Sequence, residues 1–363
     1  MAAPLIALTM SAAGHDSLTI GLNAAVYALA ILGVGPFVPR LIQHIGAVPA
    51  MLAGLLLAAA AFGAFPFLPH LGAWFALRVA LGVGGALDWI IGETWINSLA
   101  TSDRRGRVIA LYATLWAAGG ASGPGLLTVV GADGAAPFLV GGGLLLFACL
   151  PVLAAGRLAP AMTSTVSPAA VLRILARAPA IAAAALFAGI GEATVFGLLP
   201  VWGLAAGLDA ASALLAISVF AAGSILLQMP IGWLADHVER RSLLAGLTLV
   251  TILAVLALPA AVSWLPALLV VVFVWGGTVA GYYTVGLVML GDRGAAGGLA
   301  GANAAFIMAY TVGMAVGPAA GGGALRAWSP HGLTAALLAA SLMFLWIFLR
   351  RAPAPVVMTG TGP

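Results

Sequence analysis

The chain has 363 residues, of which 63% are hydrophobic and only 7% charged, against roughly a quarter charged in a soluble domain, so a water-soluble fold is excluded. At about 30 residues per membrane span with its connection, this length holds about twelve spans and leaves little for a domain outside the bilayer. The net charge of +4 rests on 14 arginines with no lysine, and their clustering reads as a topology signal rather than as a nucleic-acid surface.

The first eleven residues are apolar, without a basic residue, and too short for a cleavable signal peptide. Apolar runs then predict spans at 18–38, 47–69, 72–99, 107–131, 136–156, 179–203, 211–233, 242–262, 265–290, 297–325 and 331–349. The single cysteine, Cys149, lies in one of these runs, which leaves no disulfide framework and no thiolate metal site. His15, His44, His70, His237 and His331 are scattered over span ends and loops, so neither a metal nor a cofactor is expected.

Threading the spans places Arg40, Arg104, Arg105, Arg107, Arg157, Arg173, Arg177, Arg240, Arg241, Arg293, Arg350 and Arg351 on one side, with Arg326 opposite and Arg78 inside a span. Such a bias puts those loops and the C-terminus in the cytoplasm of a cell whose inner membrane carries the protein. The expected organisation is an N-terminal bundle over 1–156, a cytoplasmic linker over 157–178, a C-terminal bundle over 179–349 and a cytoplasmic tail over 350–363.

The two halves repeat at an offset of about 193 residues. Gly14-His-Asp16-x-x-Thr19 recurs as Gly207-Leu-Asp209-x-x-Ser212, each Asp placed to cap a helix. Leu52-Ala-Gly-Leu55 recurs as Leu244-Ala-Gly-Leu247, and Gly119-x-x-x-Gly123-Pro124 as Gly313-x-x-x-Gly317-Pro318. The same offset projects the span 179–203 onto about −14 to 10, and residues 2–10 rise only about 14 Å. The first helix is therefore expected to be largely missing, giving about eleven full spans plus a short remnant. A start codon assigned too far downstream and a true truncation are the two explanations.

Gly232-Trp-Leu-Ala-Asp236-His-Val-Glu-Arg240-Arg241 resembles the loop signature of the major facilitator superfamily, and Arg78-x-x-x-Gly82-x-Gly84 resembles its fourth-helix arginine motif. Gly313-x-x-x-Gly317-Pro318-x-x-Gly321-Gly322 has the form of its antiporter motif, with a weaker version at Gly119, Gly123, Pro124 and Gly125. Through Glu93-Thr-Trp-Ile-Asn97, Thr101-Ser-Asp-Arg-Arg-Gly106-Arg107, Gly197-Leu-Leu-Pro200 and Asn303 to Pro318, the chain most resembles the short YcaD-like bacterial branch. The resemblance implies an all-α fold of two pseudo-symmetric six-helix bundles around a central cavity lined by helices one, four, seven and ten.

Ionisable groups at bilayer depth carry an insertion cost and so mark candidate sites: Arg78, Asp88, Glu93 and Glu192. Arg78, Gly82, Gly85, Trp89, Glu93 and Asn97 share about 120° of one helix face. Glu93, flanked by Trp89 and Asn97, and Glu192, near mid-membrane with Thr194 close by, read as proton or substrate residues, or else as carboxyls bonded to neighbouring spans. Asp88 points to the other side and reads equally as a partner of Arg78, of a neighbouring helix, or of a proton. Arg78 lies close enough to the outer surface to snorkel, while the family motif implies proton or anion handling. By resemblance, Asp236 in a cytoplasmic loop, with Arg240 and Arg241, locks the inner gate against Arg104, Arg105 or Arg107 of helix five; in the first half His44 takes the place of Asp236. The Gly-Pro motifs pack helices and bend them. Tyr27, Tyr112, Trp116, Gln228, Tyr282, Tyr283, Asn303 and Tyr310 are further polar groups within spans.

These features point to proton-coupled export of a small, largely apolar molecule by a monomer embedded in the lipid bilayer. Uptake of a sugar or amino acid is the alternative, and an inactive remnant or membrane-embedded partner is a reading of another class. No nucleophile-base pair, metal cluster or cofactor loop suggests an enzyme.

Overall fold

The structure, a computed structural model, describes residues 1–99, 105–159, 173, 175, 176, 178–292 and 299–350. The described residues are helical throughout their ordered elements, without a strand. In chain order the helices are α1 (Ala2–Ala12), α2 (Ser17–Val34), α3 (Val38–Ile45), α4 (Ala47–Ala64), α5 (Leu71–Leu99), α6 (Arg105–Val130), α7 (Ala136–Phe147), α8 (Cys149–Ala154), α9 (Pro179–Ala205), α10 (Ala210–His237), α11 (Arg240–Ala261), α12 (Leu265–Asp292), α13 (Leu299–Ala327) and α14 (His331–Arg350).

Ten segments among the described residues are long and apolar enough to cross a membrane, α2 and α3 together forming one and α7 and α8 another. The 26-residue α6 is a further long helix, and α1, with 11 residues, is short. At 1.5 Å per residue α1 rises about 16 Å, half of a hydrocarbon core of about 30 Å. Most of the linker 157–178 and all of the tail beyond Arg350 lie outside the described residues.

The repeat is visible in the local chemistry that starts α2 and α10. Asp16 Oδ1 accepts the Thr19 N–H at 3.0 Å, and Asp209 Oδ1 accepts the Ser212 N–H at 2.6 Å, each satisfying an orphan donor of the first turn. Two residues before each cap, Gly14 (φ +83°) and Gly207 (φ +96°) take the left-handed conformation that turns the chain from the preceding helix.

One expected boundary moves. No Gly or Pro follows Gly232 before Val238, and α10 runs on to His237. Asp236 thus sits in the last helical turn rather than in a loop, and Val238 and Glu239 alone connect α10 to α11. His44 is likewise helical, within α3.

Corresponding contacts build both halves: α2 packs on α5 as α10 does on α12, and α4 on α5 as α11 does on α12. The halves meet along α2 with α13 and along α6 with α10. The α2–α13 crossing is close because the backbone itself forms the contact. A side chain at Gly21 would strike the Pro318 carbonyl, one at Gly322 would strike the Ser17 carbonyl, and Ser17 Oγ donates to Gly322 O at 3.1 Å.

Candidate functional site

Helix α5 is held by small residues. Gly82 meets the Tyr27 carbonyl of α2, Gly84 meets Gly54 and Ala58 of α4, and Gly85 meets the Tyr27 hydroxyl. These contacts fix its rotation, so its polar residues face different neighbours. Arg78 is 5% exposed and therefore does not snorkel; its Cζ lies 5.4 Å above the Tyr27 ring and its Nε has no hydrogen-bond partner. Asp88 turns to α4, its Oδ1 beside Gly54 and without a hydrogen-bond partner. It cannot pair with Arg78, from which ten residues of helix, a rise of about 15 Å, separate it.

Glu93 stands about 22 Å along the helix from Arg78 by the same measure, so the two do not share one site. Asn303 Nδ2 of α13 donates to Glu93 Oε1 at 3.4 Å, and the Trp89 indole, one turn earlier, also donates to the carboxylate. Tyr112 of α6 is an electrostatic neighbour of Glu93.

Glu192 reaches the same region from the other half. On α9 it pairs with the hydroxyl of Tyr310 of α13. The Tyr310 ring meets Trp89 edge-on at 6.1 Å between centroids and Tyr283 of α12 at 5.5 Å, and Tyr283 meets Phe306 at 5.0 Å. Tyr283 feels both Glu93 and Glu192. Two carboxylates, one from each half, thus flank a cluster of Trp89, Tyr283, Tyr310 and Asn303. The tyrosines and Asn303 stood in the sequence as undifferentiated polar groups within spans, because helical periodicity shows a face but not what the face meets.

The expected gate residues are spread more widely. Asp236 is exposed and makes no ion pair among the described residues. Arg104, and the side chains of Arg105, Arg107 and Asn97, lie outside the described residues. Arg241 turns to the C-terminal helix instead of the other half: its Nη2 donates to Phe348 O at 2.6 Å and its Cζ sits 5.2 Å over the Phe348 ring. Arg240 opens α11 behind Glu239, whose carboxylate accepts from Ser242 Oγ at 2.6 Å.

The Gly-Pro motifs differ between halves. A Cβ on Gly313 would strike the Leu186 carbonyl of α9, and one on Gly317 would come 2.6 Å from Thr194 Oγ1. Gly119 has nothing within 4 Å of such an atom, and Gly123 meets Met1. Pro124 and Pro318 are both buried inside their helices. Asn23 of α2, 1% exposed with an unpartnered Nδ2, escaped sequence reasoning. Its spacing of four from Tyr27, which puts both on one face, was the available signal.

The family model described as Major Facilitator Superfamily matches residues 1–220 and 181–361. The MFS-type transporter YfkF of Bacillus subtilis (strain 168) is 26% identical over 333 residues, covering 89% of this chain and 83% of YfkF. The MFS-type transporter YcaD of Salmonella heidelberg (strain SL476) is 26% identical over 360 residues, covering 97% and 92%. Among solved structures, a point mutant of the nucleoside transporter NupG superposes with a TM-score of 0.78 at 13% identity, over 96% of this chain and 94% of that one. With two repeated helical halves, a backbone-close seam between them along α2 and α13, and a family model matching both, the chain belongs to the Major Facilitator Superfamily of membrane transporters.

Proposed function

We propose that the chain is a proton-coupled exporter of a small, largely apolar molecule, working by alternating access with Glu93 and Glu192 as its proton-exchanging groups. The observation that carries this reading is the convergence of the two carboxylates, from opposite halves, on Trp89, Tyr283 and Tyr310. Carboxylates inside a bilayer are costly, and a proton or a cationic group on the substrate relieves that cost. Ionised, Glu93 accepts from Asn303 and Trp89 and Glu192 accepts from Tyr310. Protonated, each carboxyl needs fewer donors, which frees those groups and the aromatic faces for a substrate. Rearranging contacts between α5 and α13 in this way couples proton occupancy to the relation of the two halves, because Glu93 and Asn303 belong to different ones.

The few polar groups and the aromatic walls suit an apolar or weakly cationic compound. Asp236 and Arg240, with Arg104, Arg105 and Arg107, serve in this scheme as the inner gate, and the arginine bias supports a reading with that gate and the C-terminus on the cytoplasmic face of the inner membrane. The test is efflux of a compound panel from cells, and from everted vesicles with an imposed pH gradient. Glu93→Gln and Glu192→Gln are expected to abolish gradient-driven efflux while leaving gradient-free exchange of bound compound. Wild-type gradient-driven efflux in both variants would overturn the assignment.

A further inference from the structure

The segment formed by α2 and α3 overshoots the bilayer. From Ser17 to Ile45 it holds 29 residues, a rise of about 43 Å against a hydrocarbon core of about 30 Å. Crossing the core takes about 20 residues, and counted from Ser17 these end at the tight turn Gly35–Phe37, which contains Pro36. Helix α3 therefore lies at the level of the lipid headgroups. Its surface fits that depth. Val38 and Ile42 are buried in one cluster with Ala50 of α4 and Leu87 and Ile91 of α5. Phe37, Leu41 and Ile45 are 58%, 36% and 47% exposed, and at about 100° per residue they form an apolar stripe roughly 80° wide beside the buried face. Arg40 and His44, both exposed, follow on the other side of that stripe, and His44 Nδ1 donates to Arg40 O at 2.7 Å.

The charge on α3 is of one sign. No Asp or Glu lies between Asp16 and Asp88, Glu93 of α5 accepts from Asn303 instead, and Arg40 makes no ion pair among the described residues. Residues 159–172 and 351–363 contain no acidic residue either, so neither segment supplies the anion that Arg40 lacks. The corresponding end of α10 differs, since Asp236 and Glu239 are exposed there and would repel an anion. We propose that α3 is the docking site of an anionic phospholipid, its phosphate on Arg40 and its acyl chains along Phe37, Leu41 and Ile45. The guanidinium fork matches phosphate oxygens, and an amphipathic helix in the interface binds through its apolar area and its basic charge together. The site goes beyond the transport reading: it uses neither Glu93 nor Glu192.

The test follows thermal unfolding of the purified full chain in a nonionic detergent, titrated with phosphatidylglycerol, with phosphatidylcholine, and with glycerol phosphate, which has the anion without the chains. No proton gradient or transport is involved, so a failed efflux assay leaves this result standing, and the reverse. A ligand of the folded state raises the midpoint in a saturable way. Phosphatidylglycerol is expected to do so at lower concentration than phosphatidylcholine, and glycerol phosphate not at all. Arg40→Gln should weaken phosphatidylglycerol about fivefold, the weight of one basic residue at an anionic surface, and leave phosphatidylcholine unchanged. Gln43→Arg, which adds a charge beside Arg40, should strengthen phosphatidylglycerol by a similar factor, a gain that misfolding cannot mimic. Leu41→Ser should weaken both lipids. Equal responses to the two lipids, an undiminished phosphatidylglycerol response in Arg40→Gln, or a full response to glycerol phosphate would overturn the proposal. So would a midpoint that rises with protein concentration in place of lipid, the mark of a second copy covering α3.

Discussion

The same Gly-x-x-x-Gly-Pro motif has two different fates in the two halves. In α13 it is buried against α9, so closely that Gly313 meets the Leu186 carbonyl and Gly189 of α9 meets the Tyr310 carbonyl in return. In α6 the corresponding Gly119 is exposed, with nothing within 4 Å of where its Cβ would stand, while Gly123 meets Met1. A glycine pair is therefore not a contact but a permission for one: it lets helices approach, and the partner decides whether they do.

That difference is most directly broken by adding one methyl group. Gly313→Ala and Gly189→Ala place a Cβ inside a backbone carbonyl of the facing helix, and neither helix can yield without moving the other. Each is expected to destabilise by about 1–3 kcal/mol, the usual cost of overpacking, read as a lowered thermal midpoint of the purified protein. Gly119→Ala meets open space and gains helix propensity, so its expected change is neutral to stabilising by up to about 1 kcal/mol. Equal losses at Gly119 and Gly313 would show that the halves pack alike after all.

A second contrast concerns how each half holds its carboxylate. Glu192 pairs with Tyr310, which is buried against α9, whereas Glu93 bonds Asn303 across the boundary between the halves at 3.4 Å. Tyr310→Phe should then cost stability, about 0.5–1.5 kcal/mol for a hydrogen bond removed within the C-terminal half. Asn303→Leu should cost less stability and instead change the gradient-driven efflux rate, because its bond is one that the proposed alternating access would break and remake. A thermal midpoint falling more for Asn303→Leu than for Tyr310→Phe would reverse that ordering.

Much of this was legible in the residues. Spans follow from apolar runs, and their ends fall within a few residues of the helices wherever Pro, Gly or a charge interrupts the run. Asp16 and Asp209 announce the helices they cap because capping is local chemistry. Asp236 shows the limit: its stretch carries a family signature associated with a loop, but lacking a breaker it completes the last turn of α10. Asp88 shows another limit. Its position on α5 gives a direction, but that this direction leads to Gly54 depends on how α4 and α5 cross, which no single helix encodes. The meeting of Glu93 with Glu192 through Tyr283 and Tyr310 is of the same kind, since four helices from two halves must be placed before it exists. Asn23 went unnoticed because one amide in an apolar span has no neighbours until α1, α5 and α9 surround it.

The smallest expected effects lie at the caps, where the halves are most alike. Accepting the Thr19 N–H holds the Asp16 carboxyl below its ordinary value, helped by Arg326 of α13 at 3.9 Å, and accepting the Ser212 N–H does the same for Asp209. A carboxyl depressed in the folded state contributes stability that is fully present above its unfolded value, about 3.9, and is lost as the pH falls through the lower folded value. Asp16→Ala and Asp209→Ala should therefore lower the thermal midpoint slightly at pH 7, with the difference from wild type shrinking once the pH drops below about 4. Both carboxylates are exposed, so the bond to the backbone carries most of the effect and the ion pair little. They separate in salt. Arg326 belongs to the opposite half, and screening weakens that exposed pair, so raising salt should trim the loss in Asp16→Ala and leave that in Asp209→Ala unchanged. A salt response of the same size at both positions would mean that the Asp16–Arg326 contact adds nothing to its end of the α2–α13 seam, and that the hydrogen bond of Ser17 to Gly322 and the glycine contacts beside it hold that end alone.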